Sequence, residues 1–319
     1  MKFWENKQVL VTGGAGLVGS HIVEGLIENK ADAIVFDKEI DPRSYFVTQG
    51  FDKTAVQVFG NLKDYKRVFD VISKYEIDYI FHMGAQAIVP TSFINPLETF
   101  ETNVMGTVNV LESSRHVKSV KGIIVASSDK AYGHSKQLPY SELMPLNGKS
   151  PYDASKSCTD LIAQSYVATY NLPVTIARFG NIYGPGDMNF NRIIPGAIRA
   201  GLMNKTLEIR SDGKMTREYL YVKDAVDGYL TLCENIDKSR GEAFNLSSGV
   251  KLSVLEVVEN VSQAMGKKIP YVILNKAKCE ICEQCLSTQK IEKFFGWKCK
   301  YSMEKGLKET IKWYREILQ

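Results

Sequence analysis

Thr12-Gly13-Gly14-Ala15-Gly16-Leu17-Val18-Gly19 is the stretch that decides the fold. The apolar run 7–12 before it predicts a short buried strand, and 17–30 after it carries helical periodicity. Between such a strand and helix each glycine has a separate use. Gly13 permits the tight turn, Gly16 lets the backbone approach a pyrophosphate, and Gly19 allows close packing of helix on strand. The helix N-terminus, at Leu17 and Val18, attracts the negative charge. Asp37 closes the next strand-like run, 33–37, about 20 residues on. An acid there accepts hydrogen bonds from the adenosine ribose and repels a 2′-phosphate, which favours NAD over NADP. Lys38 and Arg43 stand nearby and pull the other way.

Outward from this turn, strand-like and helix-like runs alternate. Residues 56–59, 77–82, 122–126 and 174–179 read as strands; 64–75, 96–116 and 152–171 read as helices. Strands that are apolar on both faces and separated by helices predict an α/β, Rossmann-type, doubly wound parallel sheet covered on both sides. From Gly184-Pro185-Gly186 the elements become shorter and more polar. The expected division is an NAD-binding domain over 1–183 and a smaller α/β substrate lobe over 184–319, with chain segments crossing between them. That lobe would lie over the carboxyl edge of the sheet, where ligands bind in such folds.

Forty Lys and Arg against 36 Asp and Glu leave a formal charge of +4, with no basic run to concentrate it. That is no electrostatic footprint for nucleic acid. No apolar stretch is long enough to span a bilayer, and the charged N-terminus lacks the core of a signal peptide. Reduced cysteines and a cytoplasmic location are therefore expected.

Chemistry-bearing residues cluster in two places. The fifth strand runs into Ser127-Ser128-Asp129-Lys130, and Tyr152-Asp153-Ala154-Ser155-Lys156 opens a helix. Tyr152 and Lys156, four apart, share one helical face. A lysine beside a tyrosine favours the phenolate, so Tyr152 is expected to have a lowered pKa and to accept a proton from a sugar hydroxyl.

Together these stretches resemble the extended short-chain dehydrogenase/reductase family over nearly the whole chain. Gly84-Ala85-Gln86, Asn103-Val104-Met105-Gly106-Thr107, Arg178-Phe179-Gly180-Asn181, Arg217-Glu218-Tyr219 and Phe295-Gly296-Trp297 appear in that family's order. The resemblance implies cofactor contacts from Asn61, Leu62, Ala85, Asn103, Tyr152 and Lys156, and substrate contacts from Gln86, Asn181, Arg192 and Arg217. It also implies a homodimer. Within the family, Ser128-Asp129-Lys130 resembles the Thr/Ser-Asp-Lys of CDP-glucose 4,6-dehydratases; dTDP-glucose dehydratases would carry Glu at the third position. Asn61 departs from the pattern, standing where an Asp usually contacts adenine.

The chemistry implied is transient oxidation at C4 by bound NAD, loss of water across C5 and C6, and return of the hydride to C6. Tyr152 would act at the C4 hydroxyl and Asp129 would protonate the leaving oxygen. Lys130 would be either the C5 base, given a lowered pKa, or a cation stabilising the enolate. A 4-epimerase or 4-dehydrogenase would use Tyr152 and Lys156 without needing Asp129. A cofactor-binding regulator would need no catalytic group, and the intact Ser128, Tyr152 and Lys156 argue against it.

Cys279, Cys282, Cys285 and Cys299 crowd the C-terminal part and invite a metal reading, but the expectation is ordinary thiols and no metal. His82 ends a buried strand and is expected to be a satisfied core or cofactor-adjacent histidine.

Overall fold

The structure is a computed structural model and describes residues 3–276 and 283–318. In chain order the strands are β1 (Gln8–Thr12), β2 (Asp32–Asp37), β3 (Val56–Phe59), β4 (Tyr79–His82), β5 (Gly122–Ser128), β6 (Val174–Phe179), β7 (Asn181–Tyr183), β8 (Leu207–Ile209), β9 (Thr216–Tyr221), β10 (Ala243–Leu246), β11 (Lys251–Ser253) and β12 (Tyr271–Ile273). Seven of them form one sheet in the order β10-β6-β5-β4-β1-β2-β3. Every pairing in it is parallel, with Thr12 opposite Phe36 on one side of β1 and opposite His82 on the other.

Successive side chains on a strand point to opposite faces, and that alternation feeds two helix layers. Val9 and Val11 join the core that includes Ile22, Val23 and Leu26 of the helix Leu17–Glu28. Leu10, between them, joins the opposite core with Val68, Val71, Val110 and Leu111. After β3 the chain returns to the other side of β1 to form β4. The strand order reverses there, and a crevice opens beyond the carboxyl ends of β1 and β4.

The second lobe contains a sheet in the order β11-β9-β7 and the pair β12-β8. The helices Ile193–Leu202, Val254–Met265 and Met303–Leu318 pack around Ile194, Val257, Val261, Leu307 and Trp313. The chain crosses between the lobes: β10 pairs with β6 at the edge of the large sheet, and the helix Val222–Glu234 packs against Leu17–Glu28.

Two expectations need correction. The run 96–116 is not one regular helix, because Glu101–Met105 form a π-turn between Pro96–Phe100 and Gly106–His116. Such a bulge turns side chains out of register, and it faces Asn103 inward against the site. Strand β5 also runs two residues past 126, through Ser127 and Ser128, because both pair with β6. No helix among the described residues is long and apolar enough to cross a membrane.

Candidate active site

A continuous cleft of about 2100 Å³ lies between the lobes, over the crevice at β1 and β4. Gly13, Gly16, Leu17, Val18 and Gly19 form its floor at one end. Gly13 has φ +66°, and a Cβ on it would fall 2.8 Å from Gly84 Cα. A Cβ on Gly19 would fall 2.2 Å from the Gly13 carbonyl oxygen, so the first helix presses directly on the turn. Gly16 caps that helix with no side-chain hydrogen bond, leaving its N-terminal N–H groups to an incoming ligand. Together these features form a cradle for a diphosphate.

Asp37, also lining the cleft, accepts from the backbone N–H of Ala15 (3.3 Å) and Lys38 (2.9 Å). Burial raises its carboxyl pKa, against the pull of those two donors. The neighbouring cations have acidic partners: Arg43 forks onto Asp41 (2.8 and 3.1 Å), and the Lys38 ammonium lies 3.7 Å from Glu39. Asn61, Leu62 and Ala85 line the same half of the cleft.

Asn103 does not line it. Its amide is buried and committed to Gln86 N (2.7 Å), Gln86 O (3.1 Å) and Ser155 Oγ (2.9 Å), so it holds the cleft wall from behind. His82 ties Thr12 Oγ1 (2.8 Å) to Thr107 Oγ1 (3.1 Å), and Thr12 in turn accepts from Gly84 N. Burial, helped by the Lys156 charge, pushes the imidazole down to about 3, which makes it a neutral strut beneath the glycine turn.

The titratable side chains that the sequence singles out meet at the end of β5. Ser127 and Ser128 alternate across the strand. Ser127 Oγ donates to Asp160 (2.7 Å), which also forms a buried two-point ion pair with Arg178 (2.7 and 2.8 Å). Ser128 Oγ instead donates to Asp129 (3.0 Å), beside Tyr152. Helix Pro151–Tyr170 opens on Ser150, whose hydroxyl accepts from Asp153 N, and this brings Tyr152 and Lys156 onto the cleft.

Proximity to Lys156 does not lower the Tyr152 pKa. The phenol is pushed up to about 12, by burial first; Arg192 and a Ser128 hydrogen bond oppose this, while Asp129 and Asp153 reinforce it. Lys156 donates to the Ala126 carbonyl (2.8 Å), and burial pushes it down to about 8 against the attraction of Asp160. The physical reason is desolvation, which disfavours phenolate and ammonium alike.

Asp129 and Lys130 form an ion pair, with Nζ 3.3 and 3.4 Å from the carboxylate oxygens. Burial and the nearby Arg217 lower the lysine pKa, while Asp129 and Asp153 oppose the shift. Gln86, Asn181, Arg192 and Arg217 all line the cleft. Arg192 is held by Asp187 (3.1 Å), Asn181 donates to Glu218 O (3.3 Å), and Arg217 to Thr216 O (2.8 Å).

Sequence reasoning missed the cations at the outer end, Arg199, Lys205, Arg210 and Lys276, which have no shared spacing. It also missed Gln284, whose carboxamide accepts from Lys130 Nζ. Of the cysteines, Cys279 and Cys282 lie outside the described residues. Cys285 is buried, and Cys299 Sγ donates to Asp224 (3.0 Å), its thiol pushed up to about 12 by burial and that carboxylate.

The family model for GDP-mannose 4,6 dehydratase matches residues 10–310. The UDP-N-acetyl-alpha-D-glucosaminuronate decarboxylase of Bacillus cytotoxicus is 33% identical, with 98% of each chain covered. The UDP-glucose 4-epimerase of Thermotoga maritima, solved with UDP-glucose, superposes with a TM-score of 0.89 at 29% identity, covering 98% of this chain and 100% of that one. DesIV, the dTDP-glucose 4,6-dehydratase of Streptomyces venezuelae, solved with NAD bound, superposes with a TM-score of 0.88 at 28% identity, covering 97% of both.

Proposed function

Because the chain belongs to the GDP-mannose 4,6-dehydratase family of extended short-chain dehydrogenase/reductases, we propose that it is an NAD-dependent nucleotide-sugar 4,6-dehydratase acting on CDP-glucose. The observation that carries this reading is the Asp129–Lys130 pair in the cleft beside Tyr152. Oxidation at C4 alone needs only a base at the C4 hydroxyl. Elimination across C5 and C6 needs in addition one group to take the C5 proton and one to give a proton to the departing C6 oxygen. The choice of the cytidine nucleotide rests on the Ser128-Asp129-Lys130 sequence.

The glycine cradle, the bare helix N-terminus and the Asp37 carboxylate fit NAD, with Asn61, Leu62 and Ala85 along the adenosine half. NAD held there would supply the hydride acceptor for oxidation at C4 and the hydride donor for reduction at C6. Tyr152 takes the proton of the C4 hydroxyl as the C4 ketone forms. Its high pKa in the free protein means that cationic charge in the site must stabilise the phenolate; Arg192 already acts in that direction. Ser128 hydrogen-bonds the same oxygen region and orients it. Once C4 is a ketone the C5 proton is acidic, and Lys130, its pKa lowered by burial and Arg217, removes it. Asp129 donates a proton to the C6 oxygen, which leaves as water. The protonated Lys130 then returns a proton to C5, giving a 4-keto-6-deoxy sugar. Arg192, Arg217 and the outer cations suit a nucleoside diphosphate.

Incubation with CDP-, dTDP-, GDP- and UDP-glucose and with a UDP-uronate, followed by chromatographic separation and mass spectrometry, tests the reading. The expected product is CDP-sugar lighter by one water. A C4-inverted isomer of unchanged mass from any of them, with no water loss, would make the protein an epimerase. Loss of carbon dioxide from a UDP-uronate would make it a decarboxylase.

A further inference from the structure

Lys130 is gripped from a direction that the motif around it does not reveal. Residues 283–287 form a short strap across the end of β5. Tyr140 N donates to Cys285 O and Ser287 N to Tyr140 O, both at 2.8 Å. Leu286 N donates to the buried Glu218 carboxylate (2.8 Å), and Gln284 N to Thr216 O (3.4 Å). At the strap's first residue, Glu283 pairs with Lys251 at 2.7 Å. These anchors fix a Gln284 side chain that is 1% exposed, and its Oε1 accepts from Lys130 Nζ. A buried carboxamide held by its own backbone on both sides has little freedom to swing away.

Resting on the dehydratase reading of Lys130, we propose that Gln284 is a positioning residue that holds the Lys130 amine against Asp129 and sets how firmly that amine keeps its proton. Asp129 faces the amine from the 3-10 turn that follows β5, Asp153 from the helix Pro151–Tyr170, and Arg217 from β9. Burial and Arg217 favour the neutral amine; the two carboxylates favour the ammonium. An amide oxygen accepts more strongly from an ammonium than from an amine, so Gln284 joins the second group without adding a charge. Lys130 can thereby hold a proton during elimination and release it afterwards.

The test uses the full chain without substrate. Competitive acetylation with acetic anhydride across a pH series, with the Lys130 peptide quantified by mass spectrometry, reads the titration of that amine directly. In Gln284→Leu the Lys130 titration should move down by about one pH unit. In Gln284→Glu it should move up, and Gln284→Asn, which withdraws the oxygen by one methylene, should fall between Leu and wild type. The pH profile of 4-keto product formation should move with the same signs, a pattern that a merely structural role does not produce. If Gln284→Leu fails to fold, the upward shift in Gln284→Glu carries the test. Unchanged titration, or shifts of the same sign in the Leu and Glu variants, overturns the proposal. If wild type makes no 4-keto product, the dehydratase reading fails, while the acetylation series still decides for or against Gln284.

Discussion

In the proposed dehydratase, Asp129→Asn should separate elimination from oxidation. The substitution keeps the size of the side chain and an oxygen able to accept from Ser128, now 3.0 Å away, and from Lys130, at 3.3 Å. It removes the acidic proton needed by the departing C6 oxygen, which should slow that step by roughly 10²–10⁴-fold. In barrier height this is about 3–5 kcal/mol. The charge effects run the other way for the first step. The Asp129 carboxylate raises the Tyr152 pKa, so its loss makes the phenolate easier to form. It also raises the Lys130 pKa, so the amine becomes a weaker base for C5. Oxidation at C4 should therefore survive while elimination stalls. Mixing enzyme with one equivalent of substrate in stopped flow should show absorbance of reduced nicotinamide rising and persisting, with little 4-keto-6-deoxy product in the quench. A variant that releases product at nearly the wild-type rate, or never reduces the cofactor, refutes the division of labour between Asp129 and Tyr152.

Tyr152→Phe should lower turnover by roughly 10²–10⁴-fold with substrate affinity nearly intact, checked by steady-state kinetics and calorimetric titration. Wild type should prefer NAD to NADP, and Asp37→Asn should narrow that preference by removing the charge that repels a 2′-phosphate; equal affinities in wild type would end the assignment. Lys156 is 5% exposed, and burial pushes its pKa down from 10.5 to about 8. Between those pH values the unfolded chain holds a proton that the folded chain does not, so this lysine destabilises the fold below about pH 8, by roughly 3 kcal/mol, and the penalty fades as pH rises towards 10.5. Lys156→Met should accordingly raise the unfolding temperature at pH 7 more than at pH 10, while turnover collapses.

The parallel sheet and the dinucleotide cradle were legible in sequence because both depend on local rules. Short runs rich in β-branched residues, such as 174–179 between Pro173 and Gly180, fit a buried strand by length and flanks, and Gly13, Gly16 and Gly19 sit where one strand, one turn and one helix meet in consecutive residues. The spacing of Tyr152 and Lys156 likewise fixed their shared face before any packing was known. What the tyrosine pKa would be did not follow. A four-residue spacing gives proximity, but how much water remains around each group depends on the lobe that closes over them, and burial reversed the sign expected for Tyr152.

Tertiary packing also decided which serine faces the chemistry and what Asn103 does. Ser127 and Ser128 are chemically alike and adjacent, and the buried Asp160–Arg178 pair claims the hydroxyl of the first, while that of the second turns to Asp129 beside Tyr152. Asn103 stands in a recognisable motif, yet the π-turn aims its amide at the backbone of Gln86. Gln284 lies 154 residues from Lys130, in a segment with no periodicity or spacing to mark it. Sequence determines what neighbours along a strand or helix can do, because their geometry is fixed by the backbone. Contacts between distant segments, and the desolvation that sets their charges, exist only once the second lobe has folded over the carboxyl edge of the sheet.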